Sequence, residues 1–198
     1  VNDPPTVTVG GARSATEDLP MAFTGVDTVS VIDPDAYATT SNTVTLSVLH
    51  GSLTVSAAGA VAVTGNGGAS VVLTGSITDI DATLASLTYL NTPDYNGADT
   101  LTVRADDRGN TGDADNDGVP GEPVDDNLTH TRTVPITVAG VNDPPIAVSD
   151  VRTTNQNTAV SGQVLTPDPA QTAAGDRADS DADLPYGDTL SVQGVQAG

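Results

Sequence analysis

Apolar and polar residues alternate in short runs along much of the chain: Val44-Thr45-Leu46-Ser47-Val48, Leu53-Thr54-Val55, Val61-Ala62-Val63, Val71-Val72-Leu73, Leu87-Thr88-Tyr89-Leu90, Leu101-Thr102-Val103-Arg104-Ala105 and Val134-Pro135-Ile136-Thr137-Val138. Successive side chains of a strand point to opposite faces, so a period of two predicts strands with one buried face. Turn-forming stretches at His50-Gly51, Ala58-Gly59, Gly65-Asn66-Gly67-Gly68 and Asn96-Gly97 separate the runs. Their spacing predicts an antiparallel β-sandwich. The period changes once, where Ile80, Leu84 and Leu87 recur at i, i+4 and i+7. That pattern predicts one or two helical turns over Asp79 to Leu87, with Asp79 or Asp81 acting as a cap rather than a ligand.

A longer period overlies the short one. Val-Asn-Asp-Pro-Pro stands at 1–5 and again at 141–145, a direct repeat of period 140. Beyond it, Thr6-Val7-Thr8-Val9 matches Ile146-Ala147-Val148-Ser149, and Arg13 to Asp18 matches Arg152 to Asn157. The repeat predicts a linker at 1–5, a first module at 6–140 with an acidic insertion at 109–130, a second linker at 141–145, and the N-terminal part of a second module at 146–198. The latter segment is below the size at which a sandwich buries enough surface to stand alone. Its completion is expected from a continuation of the same chain or from a strand donated by a neighbour. Arrays of this kind make length and reach rather than turning over a substrate.

Composition narrows the chemistry. The formal net charge is −20, only Glu17 and Glu122 of the 26 acidic residues are Glu, and all six basic residues are Arg. General surface acidification would use both acids, whereas short Asp side chains beside Gly and Asn suit loops that hold a hard cation, with Ca2+ the leading candidate. The competing reading is a solvated acidic surface that keeps the chain soluble. Nucleic acid and anionic membranes are unsuitable partners for such a field. The chain has no Cys, which excludes disulfides and Cys-based metal or redox sites. With one Phe and no Trp, the core must come from Val, Leu, Ile and Ala. No run approaches the length of a membrane-spanning helix, so membrane insertion is not expected.

The motifs, taken in order, resemble the cadherin-like tandem modules of giant secreted bacterial surface adhesins of the RTX type. Asn142-Asp143-Pro144-Pro145 is similar to the linker between cadherin domains. Asp33-Pro34-Asp35 and Asp181-Ala182-Asp183 resemble the Asp-x-Asp element, Ala105-Asp106-Asp107-Arg108-Gly109 the Asp-x-Gly element, and Glu17 the early-strand glutamate. The stretch from His50 to Val138, with Asp94-Tyr95-Asn96-Gly97 and Asp99-Thr100-Leu101-Thr102-Val103, is similar to the proteoglycan-type repeat of such adhesins.

The resemblance implies an all-β fold of tandem Greek-key, Ig-like sandwiches with one short helix, and calcium ions clamping each linker. Carried over by position, the first linker would use Asn2, Asp3, Asp33, Asp35, Asp106 and Asp107. The second would use Glu17, Asn142, Asp143, Asp181 and Asp183. The ladder Asp179, Asp181, Asp183 is denser than its counterpart, leaving open which pair coordinates. Gln156 and Asn157 replace Glu17 and Asp18, so a linker beyond the second module would bind calcium more weakly.

A separate candidate lies in the insertion, where Asp113, Asp115 and Asp117 alternate ahead of Gly118 and Val119. Alternating Asp followed by Gly at the sixth place begins a calcium loop, in which the seventh residue offers its carbonyl. Val124 stands at the closing place, so Glu122 or Asp125 would have to close the shell. His50 and His130 have no Ser or Cys signature near them and read as surface residues at strand ends. The expected role is an extracellular, calcium-rigidified structural extender of an adhesin or surface fibre, without catalysis, whose partners are neighbouring repeats. The alternative is a module that binds a glycan or protein ligand through calcium.

Overall fold

The computed structural model describes residues 2–36, 41–109, 127–149, 155–159, 165, 178–187 and 189–192. The expected alternating runs are all strands: β5 (Asn42–Ser47), β6 (Gly51–Thr54), β7 (Ala62–Thr64), β8 (Ser70–Gly75), β9 (Thr88–Asn91), β10 (Gly97–Asp106) and β11 (Thr129–Ala139). Four short strands precede them: β1 (Thr6–Thr8), β2 (Arg13–Thr16), β3 (Met21–Ala22) and β4 (Ser30–Ile32). β2 to β4, at two to four residues each, carry at most one buried apolar residue apiece, so no apolar run marks them.

Six strands form one sheet in the order β2-β11-β10-β5-β8-β7; β3-β9-β6 form a second, and β1-β4 a two-stranded ribbon. Every pairing is antiparallel except β2 with β11. The buried face of the large sheet carries Val44 and Leu46, Leu101, Val103 and Ala105, and Val134, Ile136 and Val138. These pack in one cluster with Val7, Val31, Phe23, Leu53 and Tyr89 from the other strands and their connections. The architecture is therefore predominantly β, with sheets sharing an aliphatic core.

Local chemistry accounts for the joints. Asp107 N–H bonds to the Leu128 carbonyl, continuing the β10–β11 ladder. Antiparallel pairs alternate between hydrogen-bonded and non-bonded, so counting back makes Thr100↔Pro135 a non-bonded pair. The missing N–H of Pro135 thus faces the outer edge, where β2 joins only from Ile136 onward. Gly51 is required by close approach, since a Cβ there would lie 2.5 Å from the Leu90 carbonyl oxygen and 2.6 Å from the Tyr89 ring.

The helix α1 spans Ile77–Leu84 and buries Ile80, Thr83 and Leu84. Its cap differs from expectation: the Ser76 hydroxyl accepts from the Asp79 amide at 3.2 Å. Asp79 and Asp81 instead act across space. Asp79 accepts from Ala60 N–H at 3.3 Å, and Asp81 from Val31 N–H at 2.9 Å, tying α1 to β4.

The chain divides into two compact units, 1–140 and 141–198. In the second, Ile146 and Ser180 exchange both backbone hydrogen bonds, at 2.7 and 3.0 Å, and a 3-10 turn follows at Leu184–Tyr186.

Candidate metal centre

In the first unit the acidic residues are brought together by strand ends. β4 terminates at Ile32 and delivers Asp33 and Asp35; β10 terminates at Asp106 and delivers Asp107; the segment leading into β1 carries Asn2 and Asp3. Asp33 Oδ1 accepts from Asp35 N–H at 3.1 Å, fixing the turn. Asp35 Oδ2 accepts from Asp3 N–H at 2.6 Å. Asp107, 1% exposed, accepts through Oδ2 from Asn2 Nδ2 at 2.8 Å and through Oδ1 from the amides of Gly109 and Leu128 at 3.0 and 2.8 Å.

Asp33 is the least satisfied member. It is 9% exposed, and its Oδ2 is buried with no hydrogen-bond partner among the described residues. Burial raises its pKa above the ordinary carboxylate value, and the charges of Asp107 and Asp35 raise it further, against the opposing hydrogen bonds from backbone amides. A buried anionic acceptor between two other carboxylates is costly without a compensating cation. A hard-cation shell would draw carboxylate oxygens from Asp33, Asp35 and Asp107; their ligand atoms do not all lie within 4.8 Å of one another here, so the three would have to close in around an ion. Asn2 here donates through Nδ2; as a ligand it would have to present Oδ1.

Asp106, assigned with Asp107 by the Asp-x-Gly resemblance, is engaged elsewhere. It faces the opposite side of β10, forms an ion pair with Arg104 at 2.9 Å and accepts from Arg108 N–H at 3.0 Å. Alternation along the strand separates the two neighbours, turning Asp107 inward and Asp106 outward.

The second unit repeats the arrangement. Asp143 N–H donates to Asp183 Oδ2 at 2.6 Å, and Asp183 N–H to Asp181 Oδ1 at 2.9 Å, matching Asp3 with Asp35 and Asp35 with Asp33. Ile146 opposite Ser180 corresponds to Thr6 opposite Ile32. In the dense ladder, Asp181 and Asp183 are therefore the counterparts of Asp33 and Asp35, while Asp179 accepts from Val148 N–H at 2.7 Å. Asn142 differs from Asn2, its Nδ2 donating to the Asp143 carbonyl at 3.0 Å. Glu17 belongs to the first unit, where its side chain is buried and its N–H bonds to the Ala139 carbonyl. Asp113, Asp115, Asp117, Val119, Glu122 and Asp125 lie outside the described residues.

Further buried polar groups carry no recognisable motif. Asp99, 4% exposed, accepts from the amides of Leu49, His50 and Thr100 and from the Tyr89 hydroxyl. Burial would raise its pKa, but those four hydrogen bonds outweigh it and hold the carboxyl below its ordinary value. Burial, with the bond to Asp99, pushes the Tyr89 phenol well upward. A sequence signal for this pair exists: Asp99 has the inward parity of Leu101, Val103 and Ala105. His130 is half-buried rather than a plain surface residue, its Nδ1 accepting from Val7 N–H at 2.9 Å. His50 stacks on Tyr95, with ring centroids 4.2 Å apart.

Compared with known proteins, the chain matches no family model, and a search of curated proteins returns no match.

Proposed function

We propose that the chain is a calcium-rigidified structural extender, a run of cadherin-like, Greek-key modules from an extracellular adhesin or surface fibre that supports cell adhesion. The observation that carries this reading is the recurrence of one hydrogen-bonded arrangement at both copies of Val-Asn-Asp-Pro-Pro. In each, the linker Asp donates its amide to the second Asp of a following Asp-x-Asp element, and that residue donates its amide to the first. A repeat of geometry as well as of sequence, centred on carboxylates, is what a series of cation-stiffened joints requires.

Calcium would be held in the first unit by Asp33, Asp35 and Asp107, with Asn2 and Asp3 beside them, and in the second by Asp143, Asp181 and Asp183. Bound, it supplies positive charge among carboxylates that otherwise repel one another. The placement of β1 in the ribbon and of β2 in parallel beside β11 is compatible with an Ig-like module. No catalytic step is proposed.

Small-angle scattering with calcium and with a chelator tests the reading. The expected result is a narrower, more extended distance distribution with calcium and a broader one without it. Identical profiles after verified metal removal would overturn it. Calcium-dependent retention on a glycan array would instead favour a ligand-binding module.

A further inference from the structure

The β1–β4 ribbon has a backbone problem that two side chains solve. Val7 faces Val31, and the neighbouring pairs are Thr6 with Ile32 and Thr8 with Ser30. Val31 N–H points out of the ribbon to Asp81 Oδ1. By the alternation of antiparallel pairs, Val7 N–H also points outward, on the opposite edge, and it meets the Nδ1 of His130. Val7 is 2% exposed, so its amide has no ready substitute in water. Beyond His130 the edges of β1 and β11 do not pair: a cleft of about 460 Å³ lies between Thr6–Val9 and Thr131–Thr133. The ladder partners of β11 are β10 and, from Ile136, β2.

We propose that His130 is a proton-operated latch for β1. An imidazole whose Nδ1 accepts a hydrogen bond must be neutral, with its proton on Nε2. Protonation places an N–H on Nδ1 as well, so two donors face each other and the Val7 amide is orphaned. β1 then loses its bridge to β11 and is held by its three-residue pairing with β4. Because β1 directly follows the segment carrying Asn2 and Asp3, the latch also determines how firmly that segment is seated.

The ladder neighbours of Val7 and His130 are uncharged. β1 and β4 contribute Thr6–Thr8 and Ser30–Ile32, none charged; β10 contributes Ala105 opposite and Val103 beyond. The charged groups nearest this end of the ladder are Arg132, two residues along β11 and exposed, Asp107, past the end of β10, and Asp33, past the end of β4 and coupled by charge to Asp107. The oxygens of Asp107 are taken by Asn2, Gly109 and Leu128.

The test is amide hydrogen exchange on the 198-residue chain, corrected for the intrinsic pH dependence and run at about pH 7.5 and about pH 5, while imidazole nitrogen resonances report the protonation of His130. Calcium is held constant in one series and chelated in another. Protection of the Val7 amide is expected to fall about tenfold on ring protonation, with β5 and β8 amides unchanged. His130→Asn offers a neutral carbonyl acceptor and should protect Val7 equally at both pH values. Undiminished Val7 protection with a protonated His130, or the same loss in His130→Asn as in the unaltered chain, would overturn the proposal.

Discussion

Asp33 and Asp99 are both carboxylates buried to nine-tenths or more, and their opposite pKa shifts follow from the number of donors each meets. Asp99 receives three amides and a hydroxyl; Asp33 receives backbone amides, has its Oδ2 buried without a hydrogen-bond partner among the described residues, and feels the charges of Asp107 and Asp35. The depressed Asp99 contributes stability that is present above the ordinary carboxylate range and lost as pH falls through its folded value, below about pH 4. Asp99→Asn should therefore lower stability at neutral pH by about 2 kcal/mol and flatten the acid limb of the unfolding curve. Denaturant melts across pH provide the measurement, and an unchanged acid limb would contradict the assignment. For Asp33 the sign reverses: a raised pKa favours folding below the ordinary range and opposes it as pH rises through the folded value. Asp33→Asn should thus stabilise the metal-free chain by about 1 kcal/mol while removing most of the stabilisation that calcium provides. Thermal melts of both forms, with calcium and with a chelator, decide this.

Element by element, β5, β10 and β11 are legible in the sequence because a period of two sustained over five residues marks a half-buried strand and fits no helix, and β6 to β9 because turn-forming residues bracket their short apolar runs. The strands β2, β3 and β4 are not, since each carries at most one buried apolar residue and their placement is fixed by long-range pairing. The helix gives a mixed outcome. Ile80 and Leu84 announce it, yet its start at Ser76 is hidden because Asp79 and Asp81 also resemble caps. Their actual partners, Ala60 and Val31, are distant in sequence. Likewise the Asp-x-Gly motif cannot separate Asp106 from Asp107, whereas strand parity does so once β10 is defined. At this scale Asp81→Ala should release β4 from α1 at a cost of about 1 to 2 kcal/mol, by orphaning the Val31 amide. Chemical denaturation provides that value, and hydrogen exchange should localise the loss to β4. A loss spread evenly over the large sheet would contradict a local tie.

Taken as a whole, the chain concentrates its −20 formal charge in Asp and places much of it at the two repeated joints and in the insertion. The repeat is legible as letters; the recurrence of one hydrogen-bond pattern within each copy is not, because Asp3 and Asp35, or Asp143 and Asp183, are far apart along the chain. Chelation should lower the melting temperature of the first unit by several degrees, since a ligand bound only by the folded state stabilises it by mass action. The central claim, that calcium is held by a defined set of strand-end carboxylates, is tested most directly by following backbone amide resonances during a calcium titration. The account predicts saturable shifts concentrated at Asn2, Asp3, Asp33, Asp35 and Asp107 and at Asp143, Asp181 and Asp183, abolished in the first group by Asp33→Asn. Small, unsaturated shifts scattered over exposed acidic residues, unaffected by that substitution, would mean that the ions form only a diffuse counter-ion cloud and would contradict the claim.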